Sequence, residues 1–251
     1  MRFYEMNWPS LRQVRRDGVV VVVPIAACEQ HGRHLPVFTD TLLVTAVAEA
    51  AEQRLPDKVL MLPTLWLGAS HHHLPFGATL SLDASRHAEL LAELLRSLLD
   101  DGYRRLLVLN GHGGNLDPLH VALRQLQPSY RHCLLVGAAY WELAADAFAE
   151  LSEGPRKYMG HACEMETSML LALRPDLVRL EEARDEEPPE EPALRGLFLA
   201  EDMAQRTQHG VIGYPQRATA EKGRRYLDAA VQRTVEVVEA LLARPLPASG
   251  L

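Results

Sequence analysis

Hydrophobic and polar positions follow two patterns, one typical of strands and one typical of helices, which alternate along the chain. Residues 18–27 form a continuous apolar run rich in valine, which is typical of a parallel strand covered on both faces. Residues 41–55 and 84–99 instead place their apolar side chains at helical spacing. Short apolar runs at 59–62 and 105–109 follow these helices and predict further strands. The order therefore predicts a sheet of parallel strands joined by helices.

The second half of the chain continues this alternation. The pattern predicts a helix over 116–126, a strand over 133–139, a helix over 164–173 and a last helix over 219–242. The apolar stripe of the last helix should pack on the sheet or against a neighbouring subunit. We expect an α/β fold, a three-layer α/β/α sandwich with a mostly parallel central sheet, formed by residues 1–251 as a single domain.

Composition narrows the class of protein. The chain has 251 residues, 47% of them hydrophobic, and no apolar run reaches the roughly 18 to 20 residues of a membrane span. A formal net charge of −7 offers no basic footprint for nucleic acid, so a small-molecule substrate is favoured. The first residues lack the pattern of a secretory signal, which favours the cytoplasm. Residues 181–192 are acidic and rich in proline and are expected to form a mobile surface loop.

Carboxylate and imidazole side chains are concentrated directly after the first predicted strand. Glu29, His31 and Asp40 fall within twelve residues, on a loop that glycine and proline interrupt. Mixed oxygen and nitrogen donors suit Zn, Mn or Fe, whereas an all-oxygen set would indicate Mg or Ca. The segment predicts a catalytic transition-metal site. The alternative is a polar loop in which Asp40 caps a helix and the histidines face solvent.

Further candidate groups lie at other predicted strand ends. They are His71, His72, His73, His112, His161, Glu164 and Glu166. Because loops at the carboxyl ends of parallel strands meet at one edge of a sheet, His112 can approach Asp40 although 72 residues separate them. Asp40 is our candidate for a carboxylate that bridges two metals. The glycines around His112 could instead form a phosphate-binding loop, but they lack its spacing and its lysine.

Three separated motifs resemble those of the creatininase (creatinine amidohydrolase) family. They are Glu29-Gln30-His31-Gly32 with Thr39-Asp40, the run Asn110-Gly111-His112-Gly113-Gly114-Asn115, and His161-Ala162 leading to Glu166-Thr167-Ser168. Segments 70–81 and 210–223 are similar to the family as well. The resemblance implies a three-layer α/β/α fold and a homo-oligomer, most often a hexamer. It also implies two divalent metal ions per chain (Zn, Mn or Fe), which activate water to hydrolyse a non-peptide C–N bond of a small amide.

The resemblance also implies individual roles. By position, Glu29 and His112 hold one metal, His31 holds the other and Asp40 bridges them. His161 falls where the family has its catalytic proton carrier.

One family ligand is missing. The resemblance implies a glutamate two residues after the histidine that aligns with His112, and that position is Gly114 here. Glu166 is the predicted substitute, and Glu164 is the alternative. Either carboxylate could also be a surface or supporting group.

The predicted substrate pocket departs from the family as well. Residues that shape the creatinine pocket align with Lys157 and Gly113, so a cyclic amide other than creatinine, or a formamide, is the expected substrate. Lys157, with its neighbour Arg156, could attract an anion, although a solvated surface pair is the alternative. On an extended loop alternate residues face opposite ways, so His73 should face the pocket while His71 and His72 lie on the surface.

Other functions remain open at this point. One is a peptidase acting on a short modified peptide, of the mycofactocin-precursor kind. Another is a non-catalytic, metal-containing binding protein of the same fold, suggested by the glycine at 114. A third is a metal-dependent isomerase or phosphoesterase.

Overall fold

A parallel sheet lies at the centre of the computed structural model, which describes residues 1–189, 193 and 196–248. Its strands are β1 (Val20–Ile25), β2 (Val59–Met61), β3 (Arg105–Asn110) and β4 (Leu134–Ala139). They lie in the order β2-β1-β3-β4, and every neighbouring pair is parallel. The predicted strands are therefore confirmed, and so is the parallel sheet.

Helices connect and cover the strands. They are α1 (Trp8–Gln13), α2 (Thr39–Arg54), α3 (Ala84–Asp100), α4 (Leu116–Leu126), α5 (Tyr140–Leu143), α6 (Ala145–Leu151), α7 (Glu164–Leu173), α8 (Met203–Arg206) and α9 (Ala220–Ala243). A 3-10 turn at His71–Phe76 follows β2. No helix in the described part of the chain is both long and apolar enough to cross a membrane.

Hydrophobic side chains form one cluster on each face of the sheet. Val20 and Val22 of β1 belong to the cluster that includes α2, α7 and α9. Val21 and Val23 belong to the cluster that includes α3 and α4. This is the alternation that a strand imposes on its side chains, and it places apolar residues on both faces. The predicted three-layer α/β/α sandwich is confirmed.

The last helix, α9, lies mainly against other helices rather than on the sheet. Gly223 meets α7 so closely that a Cβ there would lie 1.8 Å from the backbone oxygen of Ser168. Glycine is required at this crossing because any side chain would force the two helices apart. α9 thus forms part of the helical layer that holds α7 in place.

The acidic segment makes specific contacts over the part that the structure describes. The backbone of Glu186 pairs with Gly213, and its carboxylate accepts hydrogen bonds from the amides of Gln208 and His209. Asp185 accepts from the amide of Gln216 at 3.0 Å. These bonds differ from the predicted mobile loop, because backbone N–H groups fix the positions of the acidic side chains. Residues 190–192 of the predicted loop lie outside the described residues.

Candidate metal centre

The predicted site residues are delivered to the carboxyl edge of the sheet by neighbouring elements. β1 and β3 are adjacent strands, and the loops after them carry Glu29 and His112. Asp40 lies in the first turn of α2 and Glu166 in the first turn of α7. The amino end of a helix carries a partial positive charge, so the first turn of each helix is a suitable place for a carboxylate.

The five predicted ligands come together in one buried cluster. Asp40 directs one carboxylate oxygen to His31, at 3.0 Å from Nε2, and the other to His112, at 3.1 Å from Nδ1. Glu29 lies 3.2 Å from the same nitrogen of His112. Glu166 lies 3.6 Å from Nε2 of His31. All five residues are between 0 and 6% exposed, and the Asp40 carboxylate connects the two halves of the cluster.

Several donor atoms of this cluster are buried without a hydrogen-bond partner. Within the described residues these atoms are both carboxylate oxygens of Glu29, Nε2 of His31 and Oδ2 of Asp40. Buried polar groups normally have partners, because an unpaired one costs about 1–3 kcal/mol and a charged one more. Carboxylate oxygens and imidazole nitrogens are the donors that first-row divalent ions accept. The cluster therefore fits metal ions.

The carboxylates of the cluster raise the pKa values of its two histidines. Burial disfavours the charged form of His112, but Glu29 and Asp40 outweigh burial and raise its pKa to about 10. The pKa of His31 is likewise raised well above its ordinary value, since Asp40 and Glu166 overcome its burial. Without metal, the protonated rings of His112 and His31 neutralise the carboxylates of the cluster. Bound divalent cations would take over this role.

Three sets of side chains have donor atoms close enough to share an ion. In each set the atoms lie within 4.8 Å of one another. The sets within the described residues are His31–Asp40–Glu166, Glu29–His72–His112 and Glu29–His31–His161. We call the first the Glu166 group and the second the His72 group. Asp40 contacts both, since it reaches His112 as well as His31.

The two candidate glutamates of α7 have different surroundings. Glu166 belongs to the Glu166 group, whereas Glu164 turns away from it. Glu164 accepts hydrogen bonds from Lys222 Nζ at 2.7 Å, Ser152 Oγ at 3.2 Å and the Gly154 amide at 2.9 Å. A carboxylate that is already satisfied by these donors is poorly placed to ligate a metal. The geometry favours Glu166 over its alternative.

His161 borders the cluster and is held by backbone contacts. Its amide and carbonyl pair with Ile212, and the next residue, Ala162, has a φ of 48°, which is rare for a residue other than glycine. Its ring nitrogen Nε2 lies 2.8 Å from the backbone oxygen of Gln30. A carbonyl can only accept, whereas the side-chain amide nitrogen of Gln30, 3.0 Å from the same Nε2, can only donate. The contact with the carbonyl is the shorter of the two, so it favours the tautomer with the proton on Nε2 and the lone pair on Nδ1. Nδ1 lies 3.6 Å from Glu29.

The pKa of His161 lies well below its ordinary value, because burial and the charge of His31 both disfavour the protonated ring. His161 is therefore neutral near pH 7 in the protein alone. The nitrogen that faces the cluster is a proton acceptor in this state.

Gln30, which lies inside the first motif, connects His73 to His161. Its side-chain oxygen accepts from the Gly32 amide at 2.9 Å, and this fixes the orientation of the amide group. The amide nitrogen then lies 2.8 Å from Nδ1 of His73 and donates to it. Nε2 of His73 faces Glu29 at 3.3 Å. Gln30 is not among the predicted site residues, although its position between Glu29 and His31 in the first motif is a signal for such a role.

The histidine triplet departs from the expectation. It forms a 3-10 turn rather than an extended loop, so its side chains do not alternate between two faces. His73 is 2% exposed and faces the site, as predicted. His72 was expected on the surface but belongs to the His72 group, and burial and His112 lower its pKa to about 4. His71 remains exposed and its Nδ1 lies 2.9 Å from Ser81 Oγ.

A cavity of about 910 Å³ opens above the cluster. Its polar wall includes Gly113, as predicted, and Arg156 and Arg206. Its apolar wall is formed by Trp141, Met159, Phe198, Leu199, Met203 and Ile212. The segment around 198–206 had not been singled out from the sequence, because it carries no motif.

Lys157, a predicted substrate contact, does not line this cavity. Its ammonium group donates to the backbone oxygen of Ser152 at 2.6 Å, which turns it away. Its neighbour Arg156 lines the cavity instead and pairs with Glu187. The structure therefore places Arg156 rather than Lys157 at this wall.

Together, the fold and the cluster define an α/β protein with a buried site, suited to divalent metal ions, at the carboxyl edge of a parallel sheet. Residues 4–238 match the family model described as "Creatininase: Creatinine amidohydrolase". The chain belongs to the creatininase family of amidohydrolases, as its motifs indicate.

Individual relatives differ in what they act on. The chain is 34% identical to the mycofactocin precursor peptide peptidase of Mycobacterium tuberculosis H37Rv, over 96% of this chain and 93% of that one. It is 29% identical to the creatinine amidohydrolase of Pseudomonas putida, over 93% and 94%. A solved structure of a mutant creatininase of the Zn-Zn type has a TM-score of 0.83 and 27% identity, over 95% and 97%. The family is thus established, while its members act on both peptide and non-peptide bonds.

Proposed function

We propose that this protein is a metal-dependent amidohydrolase that uses two divalent ions per chain. Glu29, Asp40 and His112 would hold one ion, and His31, Asp40 and Glu166 the other. The observation that carries the proposal is the Asp40 carboxylate, whose two oxygens face imidazoles on opposite sides within a cluster of unpaired buried donors. Zn, Mn and Fe all accept this mixed oxygen and nitrogen set, so availability decides among them.

When bound, two such ions lower the pKa of a water molecule toward neutrality and polarise a scissile carbonyl. The protein itself supplies proton transfer. Nδ1 of His161 bears the lone pair that faces the cluster, so it takes a proton from the attacking water and delivers it to the leaving nitrogen. Gln30 fixes the ring through the bond from Nε2 to its backbone oxygen, which keeps Nδ1 directed at the site.

The substrate we propose is a small amide, such as a cyclic amide or a formamide, cleaved at a non-peptide C–N bond. His73 and Gly113 would contact it. A Cβ at Gly113 would have no atom within 4 Å, so this wall leaves room for a substrate group. Arg156 takes the place that the sequence suggested for Lys157.

A second candidate is hydrolysis of a short modified peptide. The observation that favours it is the cavity of about 910 Å³, which greatly exceeds the volume of a small cyclic amide. The apolar wall of the cavity could bury the side chains of a peptide. A relative that acts on a precursor peptide supports this candidate by analogy.

Elemental analysis of the purified protein, paired with a screen of cyclic amides, formamides and short peptides, tests the proposal. We expect two metal equivalents per chain and release of an amine from one of these classes. His161→Ala should lower turnover about 100- to 10,000-fold while both metals stay bound. His120→Ala, which changes an exposed histidine of α4, is the matched control.

Other results would replace the proposal. One tight metal equivalent, with no turnover of any amide, would identify a binding protein of the same fold. Phosphate release from a panel of esters would identify a phosphoesterase. Full activity of His161→Ala would remove that residue from the mechanism.

We also propose that residues 1–251 act as one domain, as a cytoplasmic homo-oligomer and most simply as a hexamer. The match to the family over residues 4–238 supports the single domain, and the resemblance of the motifs to the family supports the hexamer by analogy. Sedimentation equilibrium of the intact protein measures the number of subunits.

A further inference from the structure

The loop after β3 cannot carry a side chain at position 114. A Cβ on Gly114 would lie 2.3 Å from the backbone oxygen of Ala69 and 2.6 Å from Nε2 of His112. It would also lie 2.8 Å from Cε1 of His72. Real Cβ atoms do not approach other atoms this closely. A donor at 114 is therefore excluded by this backbone, and the His72 ring lies on the side where it would have been.

His72 is directed at the first half of the cluster. Its ring stacks on His112, with ring centroids 5.7 Å apart and planes 12° from parallel. A nitrogen of His72 lies within 4.8 Å of donor atoms on both Glu29 and His112. Both oxygens of Glu29 are buried and lack a hydrogen-bond partner within the described residues. His72 thus lies near a buried carboxylate, that of Glu29, which a metal ion could neutralise.

The other two histidines of the turn are already engaged. Nδ1 of His71 contacts Ser81, and Nδ1 of His73 accepts from Gln30. Neither ring nitrogen of His72 hydrogen-bonds to any described residue, although the side chain is partly buried. Of the triplet, His72 therefore has both of its nitrogens available.

We infer that His72 is a metal ligand, which completes one of the two sites of the proposed function. Glu29, His72, His112 and the bridging Asp40 would then give the first ion four protein donors. The second ion would have three, from His31, Asp40 and Glu166. Structural zinc sites use four protein donors, whereas catalytic sites keep one position open for water or substrate. The two sites would thus be unequal, since only the second would have fewer than four protein donors.

The assignment of His72 as a ligand rests on the proposed function, and the experiment that tests it measures metal binding rather than activity. Metal-free protein is titrated with Zn²⁺, followed by equilibrium dialysis and elemental analysis, and with Co²⁺, followed by visible absorption. His72→Ala should weaken one of the two binding steps about tenfold or more and leave the other unchanged. It should also change the cobalt spectrum of that one site. His71→Ala, a histidine of the same turn, should leave both steps and the spectrum unaltered.

A conservative variant separates ligation from packing. His72→Glu supplies a different metal donor at the same place, so it should restore two tight binding steps. His72→Gln, which keeps a polar side chain without an imidazole, serves if His72→Ala does not fold, as judged by circular dichroism of the metal-free protein.

Two results overturn the inference in distinguishable ways. If the wild-type protein binds two ions and His72→Ala binds them with the same affinities and spectrum, His72 is not a ligand while the proposed function stands. If the wild-type protein binds no divalent ion, the proposed function fails and the inference fails with it.

Discussion

The two ends of β3 hold buried charge in opposite ways. At the amino end, the guanidinium of Arg105 donates to the backbone oxygens of Asp17 and Leu241 at 2.7 Å and of Arg244 at 3.0 Å. At the carboxyl end, the cluster around His112 contains carboxylate oxygens for which the described residues supply no hydrogen bond. One strand thus connects a charge that backbone carbonyls satisfy to carboxylates that face imidazole rings and include oxygens without a hydrogen bond from the described residues.

The difference separates a structural role from a functional one. A buried charge that serves only the fold must have its partners within the chain, because nothing else will compensate the loss of water. A buried charge kept without a partner lowers stability and persists where a ligand completes it. The comparison therefore predicts which substitutions change the free energy of unfolding and which change metal binding.

Metal removal should produce the largest effect. With metal present at about 1,000 times its dissociation constant, each bound ion adds about 4 kcal/mol to the free energy of unfolding. Urea unfolding with and without excess chelator measures this difference. Glu29→Gln should lose the part of this response that comes from the first ion, since it removes one of the proposed ligands of that ion. If chelator does not change the free energy of unfolding of the wild-type protein, the cluster at the carboxyl end of β3 is not a metal site.

Arg105→Leu should lower the free energy of unfolding by about 3 kcal/mol, because three backbone oxygens lose a charged donor. The metal content should stay unchanged. Arg104→Leu, at the preceding position, is the control and should stay within about 0.5 kcal/mol of the wild type. Equal losses in both variants would show that the Arg105 contacts do not stabilise the fold.

The two glutamates of α7 repeat the comparison within one turn of helix. Glu164→Gln removes the charge that Lys222 pairs with, so it should cost about 2 kcal/mol in stability and keep both metals. Glu166→Gln should lower the metal content from two equivalents to one and leave the metal-free protein nearly as stable as before. Elemental analysis and urea unfolding of both variants decide the assignment, and the reverse pattern would make Glu164 the ligand.

Thr219→Ala should have the smallest effect on the free energy of unfolding. It measures what an ordinary hydrogen bond contributes in this protein. The Thr219 hydroxyl caps α9 by accepting from the Lys222 amide, and loss of such a cap costs about 1 kcal/mol. Metal binding should not change. Ser129→Ala is the control, since that exposed hydroxyl makes no hydrogen bond within the described residues. A cost as large as that of Arg105→Leu would remove the distinction between a cap and a buried charge.

Much of this arrangement could be predicted from the sequence, because its signals are local and strong. The valine run of β1 and the helical spacing of α2 and α3 gave the layers and the parallel sheet. The order of the strands then placed Glu29, Asp40 and His112 at one edge, since parallel strands end on the same side.

The remaining features depend on contacts that local patterns do not carry. The amide of His73 bonds to the carbonyl of Ser70 at 2.9 Å and closes a 3-10 turn, so the assumption of an extended loop misplaced His72. Arg156 faces the cavity because it pairs with Glu187, which lies 31 residues further along the chain. Neither contact can be deduced from the spacing of residues within its own segment.

Arg105 also bears on how the protein is made. The four strands have all been synthesised once residue 139 leaves the ribosome, yet two of the acceptors of Arg105 lie at 241 and 244. The amine that meets Glu164 comes from the same late helix. We therefore expect the nascent chain to stay open, in reach of chaperones, until α9 and Arg244 have been synthesised.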